Sequence, residues 1–279
     1  MKKIIISFFS YLTNKFNNKY FNRIDETSMW NCDPATSQSP IDIRYSSLEN
    51  NLKIEETPHL EFLRTYYPPF NGLKLDDNLE IDLSKVYIAK AYTKYYNKTC
   101  NYIANKLRVH VYSEHSFELG KYDIEIQFMY FLEENNNEDK KIKCPKNLGI
   151  SIFFSSQNNI KSNVINRFYK VNEDEKEDLF KRYILSQVSS IELSKYTNDK
   201  TGYYWYKGSG TFPPNLSFNC KDEVYWILFK KVRDMSEEEL KGIITSTIDI
   251  YPDGNSRSTG YESKRNSQSI YTYYNDKFE

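Results

Sequence analysis

The segment Leu107-Arg108-Val109-His110-Val111-Tyr112-Ser113-Glu114-His115 decides how this chain is read. Its opening alternates apolar Leu107, Val109 and Val111 with polar Arg108 and His110. Successive side chains on a strand point to opposite faces, so the pattern predicts a strand with Arg108 and His110 on one face. Downstream, Tyr122 to Phe131 and Leu148 to Phe154 are longer apolar-rich runs. Val224 to Phe229 is short and nearly all apolar, as a buried strand should be. Helical patterns are fewer. One spans Glu175 to Gln187, and another starts at Ser236, where Ser236 and Glu239 form a capping box before Leu240. The polar patches Glu133 to Lys141 and Asn172 to Asp178 read as loops or exposed helix starts. No repeat of fixed period appears. Many strands and few helices predict a mainly β protein, with a large sheet and peripheral helices.

The chain has 279 residues, 39% hydrophobic and 27% charged, which suits one large globular domain. Lys plus Arg equals Asp plus Glu at 38 each. A balanced chain has no global field to draw it to nucleic acid, so that partner class is set aside. The four cysteines, Cys32, Cys100, Cys144 and Cys220, include no C-x-x-C pair, which argues against a zinc ribbon. Near the N-terminus, Lys2 and Lys3 precede the apolar stretch Ile4 to Leu12, and no Asp or Glu occurs before Asp25. That resembles a secretory signal, although no small-residue cleavage site stands out. Lys15, Lys19 and Arg23 extend the basic character and keep a mitochondrial presequence as the alternative. The stretch is too short to span a membrane but long enough to associate with one.

Four segments, in order, resemble the α-carbonic anhydrases. Trp30-Asn31-Cys32 and Gln38-Ser39-Pro40-Ile41-Asp42-Ile43 resemble the family's W…C…QSPINI opening. The segment from Leu107 to His115 lines up without gaps on FHFHxxSEH, and Tyr122 to Tyr130 on YxxELHLVH. Tyr206-Lys207-Gly208-Ser209-Gly210-Thr211-Phe212-Pro213-Pro214 is similar to YxGSLTTPP, with Cys220 and Trp226 following. Arg265 and Gln268 match the late RPxQ. The resemblance implies an α-carbonic anhydrase fold around a large, twisted, mostly antiparallel central sheet. It divides the chain into a targeting segment or anchor arm at 1–27, the fold at 28–270, and a tail at 271–279.

In active members three histidines from two neighbouring strands hold zinc, which makes hydroxide available to attack carbon dioxide. The resemblance implies that this site is broken. The first histidine position holds Arg108, the second keeps His110, and the third holds Gln127. A guanidinium only donates and never deprotonates, so it cannot ligate a metal. At ~4 Å and an effective dielectric of ~20 it would also repel a dication by ~8 kcal/mol. That is a large part of the ~10–16 kcal/mol that structural zinc sites gain on binding. The arrangement resembles the carbonic anhydrase-related proteins, which are non-catalytic. Thr211 and Glu114 match the pair that orients the zinc-bound hydroxide, and Glu125 the carboxylate that supports the third histidine. Their retention reads as structure outlasting the metal. His115 reads as a core histidine, Phe212 and Met129 as a drier floor, and no histidine is placed as proton shuttle. Cys32 and Cys220 match the family's disulfide pair; Cys100 and Cys144 have no counterpart there. Asn97-Lys98-Thr99 and Asn215-Leu216-Ser217 are glycosylation sequons, meaningful only in the secretory pathway.

The expected function is a catalytically inactive carbonic anhydrase-like protein serving as a structural or protein-interaction module. It needs no cofactor and has a protein partner. The alternative is a carbonic anhydrase or esterase with a different metal arrangement around His110. A third reading, a carbohydrate-binding adhesin, needs a basic groove that the balanced charge does not favour. The expected compartment is secreted or endomembrane lumen, with the mitochondrion as alternative. Arg108 itself is expected to take over the charge of the ion by pairing with Glu114 or Glu125, with Gln127 completing the hydrogen bonds.

Overall fold

The structure is a computed structural model, and it describes residues 39–44, 60–66, 80–84, 90–96, 98–133, 143–160, 202–212, 217–241 and 270–273. The strands are β1 (Asp42–Ile43), β2 (Leu60–Tyr66), β3 (Glu80–Asp82), β4 (Lys90–Tyr95), β5 (Lys98–Val111) and β6 (Ser116–Phe117). Then come β7 (Ile124–Leu132), β8 (Asn147–Ser155), β9 (Tyr203–Ser209), β10 (Glu223–Phe229), β11 (Arg233–Asp234) and β12 (Ile270–Tyr273). Ten of them form one sheet, ordered β12-β9-β10-β8-β7-β5-β4-β2, with β3 pairing β5 and β11 pairing β8. Among the described residues, only the pairings of β8 with β10 and with β11 are parallel in this sheet; its other pairings are antiparallel. The expected mainly β, mostly antiparallel architecture is therefore the observed one.

Strands β7, β8 and β10 lie mid-sheet and are covered on both faces, which is why their sequences read as nearly unbroken apolar runs. One face carries the larger core, including Val109, Ile126, Phe128, Ile150 and Trp205. The other carries Met129, Phe153, Tyr206, Phe212 and Trp226.

An irregularity in β5 decides which side chains reach which face. Cys100, Tyr102 and Ala104 belong to the larger core, and so do Leu107, Val109 and Val111. The first set is even-numbered and the second odd-numbered. The phase changes because the pairing of β5 with β7 shifts register between Ala104 and Lys106. One extra residue flips every side chain beyond it to the other face. That shift places Lys106, Arg108 and His110 on the face opposite the larger core.

At the start of the short helix at 237–241, the Ser236 amide donates to Glu239 Oε2 at 2.7 Å. The Glu239 amide donates back to Ser236 Oγ at 3.2 Å, completing the reciprocal cap read from the sequence. Residues 271–273, read from sequence as tail, pair with β9. The expected helix at Glu175 to Gln187, the segment 1–27 and both sequon asparagines lie outside the described residues. Among the described residues no helix is long and apolar enough to cross a membrane.

Candidate functional site

The remnant residues meet on the face that the register shift exposes. Arg108 sits opposite Gln127, and His110 opposite Glu125, across the β5–β7 pair. Residues two apart share a face, so these four side chains form one cluster with Met129 and Lys106, which also pair. On the other side of β5, Glu80 of β3 stands opposite Arg108.

Two buried carboxylates organise the interior. Glu125 is fully buried. It accepts from the His115 amide at 3.0 Å, Ser151 Oγ at 2.6 Å and Gln127 Nε2 at 3.0 Å. His115 Nδ1 lies 2.7 Å from the same carboxylate. Burial pushes Glu125 up, but the adjacent His115, then His110 and Ser151, outweigh it and hold the carboxyl at about 2. Glu114 is also buried. Its Oε2 accepts from Gln127 Nε2 at 3.0 Å and lies 3.6 Å from His110 Nε2. Burial raises Glu114, while His110 and Arg108 pull it down further, with Thr211 helping; the net shift is below the usual carboxylate range.

The hydrogen bonding continues outward from His115. Its Nε2 lies 2.7 Å from the Tyr206 hydroxyl, which donates to Ser39 Oγ at 2.8 Å. Ser39 Oγ also accepts from the Ser209 amide at 3.1 Å. Gly208 permits this approach, because a Cβ there would overlap Ser39 Oγ and the Tyr206 ring. The first and fourth segments quoted above thus meet at one point. His115, packed against Phe153, Tyr206 and Trp226, is wholly inside.

Arg108 takes a different ion-pair partner from the two expected from sequence. Its Nε lies 3.1 Å from Glu80 Oε1, and Lys106 Nζ holds Glu80 Oε2 at 2.7 Å. Both cations also lie over the Phe212 ring, Arg108 Cζ at 4.6 Å and Lys106 Nζ at 5.0 Å from its centroid. Arg108 reaches Glu114 only through space. The pairing with Glu80 wins because β3 supplies a carboxylate directly across the strand, while Glu114 and Glu125 already have nearer donors. Sequence reading missed Glu80, because a strand of three residues carries almost no periodic signal, and Lys106, because the register shift after Ala104 breaks the alternation of β5 just before it.

The donor set does not fit zinc. Gln127 Nε2 donates to two carboxylates, and the reverse orientation would set its carbonyl oxygen against both. What it leaves for a metal is a neutral amide oxygen, outside the imidazole, thiolate and carboxylate donors that zinc takes. Arg108 offers no lone pair. His110 is the one imidazole left of the three. Among the described residues no group of three or more His, Cys, Asp or Glu is placed to hold a metal ion.

A disulfide that the sequence left unassigned joins Cys100 to Cys144, tying β5 to the segment that leads into β8. Cys220 is disulfide-bonded as well; its expected partner Cys32 lies outside the described residues.

The family model described as eukaryotic-type carbonic anhydrase matches residues 25–263. A search of curated protein sequences found no match. Among solved structures, the α-carbonic anhydrase of Thermovibrio ammonificans in complex with sulfanilamide is 20% identical, with a TM-score of 0.57 over 84% of this chain and 86% of that one. Dioscorin complexed with ascorbate is 18% identical, with a TM-score of 0.60 over 89% and 93%. A halotolerant carbonic anhydrase from Dunaliella salina is 15% identical, with a TM-score of 0.58 over 85% and 88%. Identities this low speak for the fold alone.

Proposed function

Because the chain belongs to the eukaryotic-type carbonic anhydrase family and yet carries a guanidinium and an amide at two of the three metal-ligand positions, we propose that it is a catalytically inactive member. It acts through its surface, as a structural or protein-interaction module. The observation that carries this reading is the double hydrogen bond of Gln127. Its amide nitrogen serves Glu114 and Glu125, both at 3.0 Å, where a ligand would have to turn a lone pair outward. The retained carboxylates then have a structural role. Ionised and buried, they are matched to Gln127, His115 and Ser151 and not to a metal-bound water. The Cys100–Cys144 disulfide and the bonded Cys220 support an oxidising compartment, secreted or lumenal. In the same reading Cys32 is the partner of Cys220.

The test is stopped-flow carbon dioxide hydration and ester hydrolysis with zinc-supplemented protein, beside Arg108→His combined with Gln127→His. The reading expects background rates from the natural sequence and zinc uptake only by the double variant. Sulfonamide-sensitive turnover by the natural sequence overturns it. Affinity capture from the native source, with mass-spectrometric identification, then looks for the protein partner.

A further inference from the structure

After β6 the chain reverses through Glu118 and Leu119, both in the left-handed region at φ 50° and 66°. Phe117 and Gly120 close this turn with reciprocal backbone hydrogen bonds of 2.8 and 2.9 Å. Two consecutive left-handed residues in a two-residue reversal are what Asn-Gly ordinarily supplies, because a bulky side chain is strained there. The surroundings hold the turn nonetheless. The Leu119 amide donates to Asp42 Oδ1 at 2.8 Å, and the Glu118 amide to the Ile43 carbonyl at 3.0 Å. Asp42 is itself buried, and it accepts from Ser116 Oγ at 2.7 Å and Arg44 Nε at 2.9 Å. Held in this way, Leu119 is 60% exposed. The fold thus carries an apolar side chain to solvent on a backbone that glycine would suit better. Strain that persists because its neighbours over-determine it points to a use outside the isolated fold.

What surrounds the tip indicates what it meets. At its base the Phe117 ring packs on Tyr122 at 5.2 Å and Tyr204 at 6.1 Å between centroids. Phe117, Tyr122 and Val232 are only partly buried at the margin of the second core, so an apolar edge lies beside the exposed leucine. Charges of both signs flank it. Glu118 is exposed, Arg44 and Lys121 are partly exposed, and Lys230 lies over the Tyr204 ring at 4.6 Å. A patch of one sign would repel its own copy. A mixed one, on a chain with 38 charges of each sign, complements itself under a two-fold axis. We propose that the Glu118-Leu119 turn is the contact between two copies of this chain. Leu119 of each copy packs on the Phe117 and Tyr122 edge of the other, and each Glu118 faces the other copy's cations. This gives the interaction reading a partner, a second copy, and does not depend on the state of the metal-site remnant.

The experiment is sedimentation equilibrium of the full chain from about 5 to 500 µM, beside Leu119→Gly. The expected mass rises toward that of two chains, half-way at roughly 100 µM, because one turn buries less than a standard interface. Leu119→Gly removes the apolar tip and suits the left-handed backbone. It should weaken association by about ten-fold or more while the thermal midpoint of dilute protein stays level or rises. A leucine with a merely structural role would lower the midpoint and leave association alone. Leu119→Asn, also at ease in that region, is the second variant if the first folds poorly. Glu118→Lys should weaken the dimer several-fold, since it places like charges together. A single-chain mass at every concentration overturns the proposal, as does a dimer that Leu119→Gly and Leu119→Asn leave equally tight. Neither result touches the catalytic reading, which falls only to turnover by the natural sequence.

Discussion

Gln127→Met replaces the amide by an apolar side chain of similar length and removes two hydrogen bonds to ionised carboxylates at once. The two losses are unequal. Glu125 keeps the His115 amide at 3.0 Å and Ser151 at 2.6 Å, so its share is about 1 kcal/mol. Glu114 keeps a hydrogen bond from Thr211 and has His110 Nε2 at 3.6 Å, so its share is about 1–2 kcal/mol. The sum is about 2–3 kcal/mol, or roughly 4–12 °C in Tm for a domain of this size. Urea unfolding with an unchanged m-value is the assay. The pH dependence gives a second reading. A carboxylate held below its usual range contributes stability above its unfolded pKa and loses it as pH falls through the folded one. Losing the amide raises the folded pKa of Glu114. The deficit should therefore be greatest near neutral pH and narrow as pH falls below the carboxylate range. A loss under about 1 kcal/mol at neutral pH would refute the idea that the amide holds both carboxylates.

Three further outcomes follow from the same geometry. Glu125, held at about 2 against an ordinary 4.5, should contribute about 3 kcal/mol at neutral pH. That contribution should fade between about pH 4.5 and 2 in acid unfolding, and Ser151→Ala should shift the loss to higher pH. Cys100→Ser opens a loop with a sequence separation of 44, worth about 4 kcal/mol in the chain-entropy account, measured by urea unfolding of variant and parent. Arg108→Ala should cost only about 1–2 kcal/mol in thermal unfolding, because Glu80 keeps Lys106 at 2.7 Å; a larger loss would mean that Arg108 is what balances Glu114.

The sheet was legible where one alternation phase holds. Leu107 to Val111 reads as a strand, but β5 starts at Lys98, and the register shift before Lys106 breaks the pattern into two phases that no single template fits. The same shift turns Arg108 and His110 toward the site, so what hid half the strand also positions its chemistry. Arg108, His110, Glu114, Glu125, Gln127 and Thr211 were legible because they fall inside the quoted motifs, whereas Lys106, just outside its motif, was not. Glu80 was not, because its role comes from pairing with Arg108 across the sheet. Nor was the Cys100–Cys144 pairing, since four cysteines allow three connectivities and sequence does not choose among them. Gly208 was legible as part of a motif, but its purpose, admitting Ser39 against Tyr206, is visible only in three dimensions.

In the proposed reading a guanidinium, Arg108, and an amide, Gln127, stand where the family's active members hold two zinc ligands. The most direct test is the zinc content of the unaltered protein, expressed with abundant zinc, dialysed, and measured by plasma mass spectrometry. The expected content is far less than one equivalent per chain, and one equivalent that survives dialysis would show that the metal site is intact.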